Sequence, residues 1–134
     1  MKLVHVGLLW GVDIAEEEEE EVEEKLMRDF SCVPVFVKKS IRNDMYWGYC
    51  KGVLWPVFHN VMDLMSGAQT KEYDECLWRS YCAVNRKFAE CVVQVYDDAN
   101  SLVWIHDYHL LVLPGTNLLT LTLTLIFFIF FIFL

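Results

Sequence analysis

The sequence is poor in basic residues, which bounds the kinds of partner it can have. Eleven Lys and Arg stand against nineteen Asp and Glu, giving a formal net charge of -8. This charge argues against binding nucleic acid or an anionic membrane surface, because both are negatively charged. Much of the excess lies in one acidic run over residues 16–24, so the total charge by itself identifies no partner.

The cysteines form no CxxC pair, and their number, five, leaves one over. This pattern favours reduced thiols in an intracellular protein over a disulfide framework. The first apolar stretch is interrupted by His5 and ends at Asp13. It therefore does not resemble a secretory signal, and a cytoplasmic location is expected.

Motifs for cofactors and metals are also missing. There is no glycine-rich phosphate loop and no Walker pattern. His106 and His109 form an HxxH pair, but no third metal ligand stands near them. Cys50 has no assigned base that would activate it as a nucleophile. The sequence thus predicts no cofactor, no metal and no catalytic residue.

The 134 residues have room for about one domain, in which strands alternate with helices. Apolar runs predict strands, and three- and four-residue apolar steps predict helices. Strands are expected at 3–9, 32–37 and 102–105, and helices at 15–30, 43–62 and 71–95, with a polar connection over 38–43. Alternation of this kind favours a parallel α/β layer.

Two prolines and one helix refine this prediction. Pro34 argues that the second strand lies at a sheet edge or begins there. Pro56 is expected to kink or restart the middle helix. The last helix has the cleanest apolar period, formed by Leu77, Tyr81, Val84, Phe88, Val92 and Val95, opposite a face with Glu75, Arg79, Arg86, Lys87 and Glu90.

The segment VWIHDYHLLVLP, residues 103–114, carries the strongest sign of a site. An apolar strand is cut off by His106, Asp107, Tyr108 and His109, and ligands of open α/β sheets meet the carboxyl ends of strands. A polar turn that satisfies its own backbone remains the alternative. The chain also has many rings with polar edges, namely Tyr46, Trp47, Tyr49, Trp55, Trp78, Tyr81 and Trp104. Aromatic faces stack on sugars and carboxylates hold hydroxyls, so the set leans towards carbohydrate, although each ring alone is more often core.

Three blocks in this order resemble the trehalose-6-phosphate synthases, retaining glycosyltransferases of the GT-B type. They are CVPVFV at 32–37, YWGYCKGVLWPVFHN at 46–60 and VWIHDYHLLVLP at 103–114, and WRSYCAVNRKFAECV at 78–92 is similar to the helix between them. The resemblance covers roughly residues 4–114. It implies an α/β fold, specifically part of the Rossmann-like N-terminal half of a GT-B enzyme.

The resemblance also implies an acceptor site for glucose 6-phosphate. In the family a tyrosine contacts the phosphate, a tryptophan packs on the sugar and an aspartate binds sugar hydroxyls; these positions fall on Tyr46, Trp55 and Asp107. An upstream tryptophan of that site is not mapped, because the sequence around Trp10 departs from the pattern. The part of the family that binds UDP-glucose has no counterpart in this sequence. The expectation is therefore that this chain does not transfer glucose alone, and that UDP-glucose is a partner of the complete family only.

The division expected is a partial glycosyltransferase domain over 1–114 and an apolar tail over 115–134. Residues 118–134 would reach about 25 Å as a helix, near the lower limit for a membrane span. A tail-anchored membrane location is one interpretation. The other is that the tail is translated non-coding sequence, because the composition breaks at Gly115 with no basic flank. Two alternatives to an enzyme remain open: a membrane-anchored sugar-phosphate sensor or regulatory fragment, and a truncated gene model without a stable product.

Overall fold

The computed structural model describes residues 3–59, 74–97 and 101–116. Its first half is a strand, a helix and a second strand. Strand β1 spans His5–Leu8, helix α1 spans Glu19–Phe30 after a short 3-10 turn at Glu16–Glu18, and strand β2 spans Cys32–Val35. The strands pair in parallel with His5 opposite Cys32. The predicted parallel α/β layer is confirmed here, since a parallel pair needs a crossover such as α1.

Local sequence explains how α1 begins and ends. Its first turn holds Glu19, Glu20 and Glu21, which the positive end of the helix dipole favours. It ends at Ser31, whose φ of 51° is a left-handed C-cap that donates its N–H to the carbonyl of Met27. Among the described strands, β2 pairs only with β1. Pro34 has no N–H to donate, and no described strand on the other side of β2 needs one.

The middle of the chain is helical but is not one α-helix. Helix α2 spans Lys39–Asn43, a π-helix spans Asp44–Leu54, and helix α3 spans Trp55–Phe58. The predicted polar connection over 38–43 is therefore wrong from residue 39 onwards. Pro56 lies in the first turn of α3, which confirms the predicted restart. The predicted end of this helix, at Met62, lies outside the described residues.

Helix α4, Glu75–Val95, carries the core. Its N-cap is Asp74, whose carboxylate accepts the N–H of Cys76. The predicted apolar face is confirmed: Tyr81, Val84 and Phe88 are buried. They pack with Val35, Met45, Cys50, Ala89, Ile105, Tyr108 and Leu113.

The π-helix approaches α4 most closely at Gly48. A Cβ built at Gly48 would lie 2.5 Å from Cδ2 of Leu77, so glycine lets the two helices touch. The opposite face of α4 is exposed and carries the predicted charged residues. These pair as Arg79 with Glu75, and as Arg86 and Lys87 with Glu90.

The predicted third strand, over 102–105, is wrong. Residues 101–105 have no regular secondary structure, although their exposure still alternates: Leu102 and Trp104 are exposed while Ile105 is buried. An apolar run forms a strand only where a neighbour completes the ladder, and this part of the chain makes a single β-bridge at His106 without joining the ladder of β1 and β2. The chain continues into 3-10 turns at Tyr108–Leu110 and Leu113–Gly115. The tail at 118–134 lies outside the described residues.

Candidate functional site

The π-helix brings Tyr46, Lys51 and Trp55 together. Nine residues of α-helix would place Tyr46 and Trp55 about 180° apart around the axis. Here the N–H of Trp55 bonds to the carbonyl of Cys50, five residues back, and this wider winding stacks residues five apart. The ammonium of Lys51, five residues after Tyr46, accordingly lies 5.7 Å from the ring centroid of Tyr46. Trp55 follows Lys51 by four residues, a spacing that also makes neighbours in an α-helix, and its ring centroid lies 4.1 Å from the ammonium.

Asp107 sits in a strained turn. Its φ of 68° and ψ of 170° lie in a region that glycine adopts far more readily than other residues. Such a conformation costs on the order of 1–3 kcal/mol and persists only where the surroundings impose it. Its carboxylate accepts the N–H of Tyr108 at 2.7 Å and so caps the 3-10 turn that follows.

Helix α4 supplies the surroundings that hold this turn. The buried hydroxyl of Tyr81 donates to the carbonyl of Tyr108 at 2.8 Å and accepts the N–H of Leu111 at 3.0 Å. The side-chain amide of Asn85 donates to the carbonyl of His109 at 3.1 Å. These bonds satisfy backbone groups that would otherwise be buried without partners. The apolar face of α4 thus also positions Asp107.

Stacked rings join the turn to the π-helix. His109 lies parallel to Tyr46, with centroids 5.5 Å apart and 8° between the planes, and stacks on Tyr108 at 4.2 Å. Trp55 contacts Tyr108 at 5.9 Å, and Lys51 lies 5.9 Å from the same ring. The three residues that the sequence predicted for the acceptor site, Tyr46, Trp55 and Asp107, therefore surround one cluster.

The pKa values of Lys51 and Tyr108 are both raised in this cluster. Burial opposes the charged form of Lys51, yet Tyr108, Tyr46 and Asp107 together raise its pKa above the ordinary value. The side chain is therefore a cation at neutral pH. Burial raises the pKa of Tyr108, with Lys51 opposing. The hydroxyl of Tyr108 is buried and has no hydrogen-bond partner within 3.5 Å among the described residues, but it lies close enough to Lys51 for each group to shift the pKa of the other.

His109 is held neutral. Its Nδ1 faces the carboxylate of Asp107 at 3.4 Å, while Nε2 is buried with no partner in the described part of the chain. Protonation would therefore bury an unpaired N–H. Burial lowers the pKa of His109 below 6.5, and the opposing attraction of Asp107 does not overcome it.

This gives a pH dependence of stability. Between the folded pKa of His109 and the unfolded value of 6.5, the unfolded chain binds more protons. The free energy of unfolding is therefore expected to fall as the pH drops through 6.5, with a limiting slope of about 1.4 kcal/mol per pH unit for one proton. Urea titrations at several pH values test this. His109→Gln should flatten the curve; an unchanged slope would assign it to other groups.

Sequence reasoning missed Lys51 and the role of Tyr108, and it left Trp10 unmapped. The ring of Trp10 lies 4.8 Å from that of Tyr46, with the guanidinium of Arg42 5.4 Å from the Trp10 ring. A signal for Lys51 existed: it is the sole cation within the aromatic block at 46–60. An α-helical period would place Tyr46 on a different face from Lys51 and Trp55, which hides the relation of Lys51 to Tyr46.

Other candidates lie apart from the cluster. Tyr49 packs on Tyr81 at 4.8 Å, with Trp78 5.5 Å from Tyr49, as part of the core. Trp104 is 60% exposed. Cys50 is fully buried, and burial first, then Asp107, raises its pKa to about 12, so it is a poor nucleophile.

A large open pocket of about 960 Å³ lies elsewhere, between α1, the end of β2 and α4. None of the three predicted site residues lines this pocket. Its lining carries charged residues of both signs but no tyrosine or tryptophan. Among the described residues no group of three His, Cys, Asp or Glu is placed to hold a metal. Nor does any helix in those residues have the length and apolar character needed to cross a membrane.

Comparison with known proteins identifies the family that the chain matches. The family model described as glycosyltransferase family 20 matches residues 2–133. A probable alpha,alpha-trehalose-phosphate synthase [UDP-forming] 11 of Arabidopsis thaliana is 41% identical over 84% of this chain. The alpha,alpha-trehalose-phosphate synthase [UDP-forming] A of Dictyostelium discoideum is 38% identical over 78% of it. The chain spans 13% of the length of each of these relatives.

Solved structures of trehalose-6-phosphate enzymes also match this chain. The trehalose-6-phosphate synthase OtsA matches 72% of this chain and 20% of its own, with a TM-score of 0.58 and 25% identity. The N-terminal domain of Candida albicans trehalose-6-phosphate phosphatase matches 82% of this chain and 22% of its own, with a TM-score of 0.57 and 26% identity. The expected fold class, part of the N-terminal half of a GT-B glycosyltransferase, is confirmed. By sequence and by fold, the chain belongs to glycosyltransferase family 20.

Proposed function

We propose that the described residues form part of the acceptor site of a glycosyltransferase that transfers glucose from UDP-glucose to glucose 6-phosphate in trehalose synthesis. In this proposal Tyr46 contacts the phosphate, Trp55 packs on the sugar and Asp107 binds its hydroxyls. The observation that carries it is the convergence of Tyr46 and Trp55, from one helical stretch, with Asp107, from a distant turn, around Lys51 and Tyr108.

The chemistry of the cluster suits this ligand. A phenol can donate to a phosphate oxygen, and an indole covers the apolar face of a sugar. A carboxylate accepts hydrogen bonds from neighbouring hydroxyls. The relatives named above are UDP-forming trehalose-phosphate synthases, which supports the same substrates for this chain.

The residues carried over from the resemblance are acceptor ligands, and glucosyl transfer requires both substrates to be positioned together. We therefore expect the 134 residues alone to bind glucose 6-phosphate without forming trehalose 6-phosphate. The division into a domain over 1–114 and a tail over 115–134 remains part of this proposal. Incubation of the purified chain with both substrates tests the expectation, and trehalose 6-phosphate in the products would overturn it.

Asp107→Asn tests the acceptor site. Asparagine keeps an oxygen that can accept the N–H of Tyr108, so the turn is retained while the charge is lost. We expect glucose 6-phosphate to bind at least about tenfold more weakly, because hydrogen bonds to a charged acceptor contribute about 1.5–3 kcal/mol. Calorimetric titration measures this.

The matched control is Asp29→Asn. Asp29 is an exposed carboxylate at the end of α1 that pairs with Arg28. Its replacement should leave the affinity for glucose 6-phosphate unchanged. Equal affinity in Asp107→Asn and the unmodified chain would exclude Asp107 from the site, and absence of any binding by the unmodified chain would contradict the acceptor site itself.

A further inference from the structure

Two neighbours lie against the indole of Trp55, which is 38% exposed overall. The imidazole of His59 stacks on it with centroids 3.5 Å apart and 27° between the planes, and the ammonium of Lys51 lies 4.1 Å from the ring centroid. Two groups at these distances cannot share one face of a ring, so they lie on opposite faces. A sugar that stacks on Trp55 must therefore displace one of them.

Of these two groups, Lys51 is the one that a sugar can displace from the Trp55 ring. His59 is tied to the same helical turn, because its Nδ1 lies 2.9 Å from the carbonyl oxygen of Trp55. Lys51 is half-buried at the end of a flexible four-carbon stem, and it forms no ion pair with any carboxylate in the described ranges. Its attraction to an aromatic face is also weaker than a charge-assisted hydrogen bond to an anion.

The ammonium of Lys51 lies near Tyr46, the residue proposed to contact the phosphate. Its ammonium is 5.7 Å from the ring of Tyr46 and 5.9 Å from that of Tyr108, so both phenols are within reach of its flexible stem. An anion held by Tyr46 would draw it there. A neutral sugar has no charge with which to do so.

We propose that Lys51 couples recognition of the phosphate to exposure of the sugar-stacking face. In the empty site its ammonium covers Trp55; when a hexose phosphate binds, the ammonium moves to the phosphate and uncovers the indole. This inference rests on the proposed acceptor site and adds a residue that selects phosphorylated over unphosphorylated sugar. Lys51 is a binding residue in this account and has no part in bond breaking.

The test compares glucose 6-phosphate with glucose by calorimetric titration of the full 134-residue chain and three variants. Lys51→Met keeps most of the stem without the charge. It should bind glucose 6-phosphate about tenfold or more weakly, and glucose at least as well as the unmodified chain does. Lys51→Arg should retain the preference for the phosphorylated sugar, and Lys25→Met, an exposed lysine of α1, should behave as the unmodified chain.

A second measurement follows the movement directly. The indole N–H resonance of Trp55, assigned by its absence in Trp55→Phe, should shift when inorganic phosphate alone is added. The shift should be lost in Lys51→Met and kept in Lys25→Met. An unchanged ratio of the two affinities in Lys51→Met, or a phosphate-induced shift that survives the substitution, would overturn the role of Lys51 while leaving the acceptor site standing. No binding of either sugar by the unmodified chain would instead refute the acceptor site.

Discussion

Replacing Tyr81 by phenylalanine is expected to lower the free energy of unfolding by about 2–4 kcal/mol, a large fraction of the stability of a small domain. Tyr81 is 1% exposed, and its hydroxyl serves the carbonyl of Tyr108 and the N–H of Leu111 at once. Phenylalanine fills the same space but leaves both backbone groups buried without a partner. Each such group costs about 1–3 kcal/mol.

The same substitution should affect the site. The two bonds of Tyr81 bracket the turn that holds Asp107 at positive φ. Without them we expect that turn to relax and glucose 6-phosphate to bind more weakly. Urea denaturation and calorimetric titration measure the two effects. Tyr96→Phe, at the end of α4, is the control, since the Tyr96 hydroxyl bonds to none of the described residues; a similar small effect in both variants would contradict the argument.

Arg42→Met is expected to cost about 2–3 kcal/mol of stability. Arg42 is 6% exposed, and its guanidinium donates to the carbonyl of Leu9 at 2.9 Å, to that of Val12 at 3.4 Å and to the carboxylate of Asp13 at 3.1 Å. The ion pair contributes little, because the side chain of Asp13 is 60% exposed. The loss arises from the two carbonyls, which methionine cannot satisfy.

The segment that Arg42 holds carries Trp10, whose ring packs on Tyr46. Arg42→Met should therefore also change the fluorescence of Trp10, compared against Trp10→Phe as a blank. Arg86→Met is the matched control: Arg86 is exposed on α4 with a long ion pair to Glu90, and its loss should change stability by less than about 0.5 kcal/mol. Equal destabilisation by the two variants would show that the buried carbonyls have other partners.

Periodicity predicted those parts of the fold in which local pattern and packing agree. The buried face of α4 follows from three- and four-residue spacing, and the two short strands around α1 follow from apolar runs. The segment at 102–105 is also an apolar run but forms no ladder, because a strand also requires a neighbour that one segment cannot supply. The sequence predicts a polar connection over 38–43 and one helix over 43–62, whereas residues 39–58 are helical with a π-helical middle, because a change of winding leaves little trace in the sequence.

The proposed site rests on the resemblance and is indicated only weakly by the chemistry of its residues. Asp107 was conspicuous because charge interrupts an apolar run, but nothing in the letters indicates its positive φ, which Tyr81 and Asn85 impose from another helix. Lys51 was overlooked for a related reason. A lysine within an aromatic block is ordinarily a solvated residue, and its position beside Tyr46, five residues earlier, depends on the winding of the helix.

That winding bears on how relatives should be aligned. A helix closed by bonds to the fifth residue holds more residues per turn than an α-helix, so a lineage can lose one residue between Tyr46 and Trp55 and still keep a continuous helix. The hydrophobic pattern and the fold would survive such a deletion, but Trp55 would rotate away from Tyr46. A single gap in this stretch would therefore separate relatives that retain the acceptor geometry from those that retain only the architecture, even where every named residue is still present.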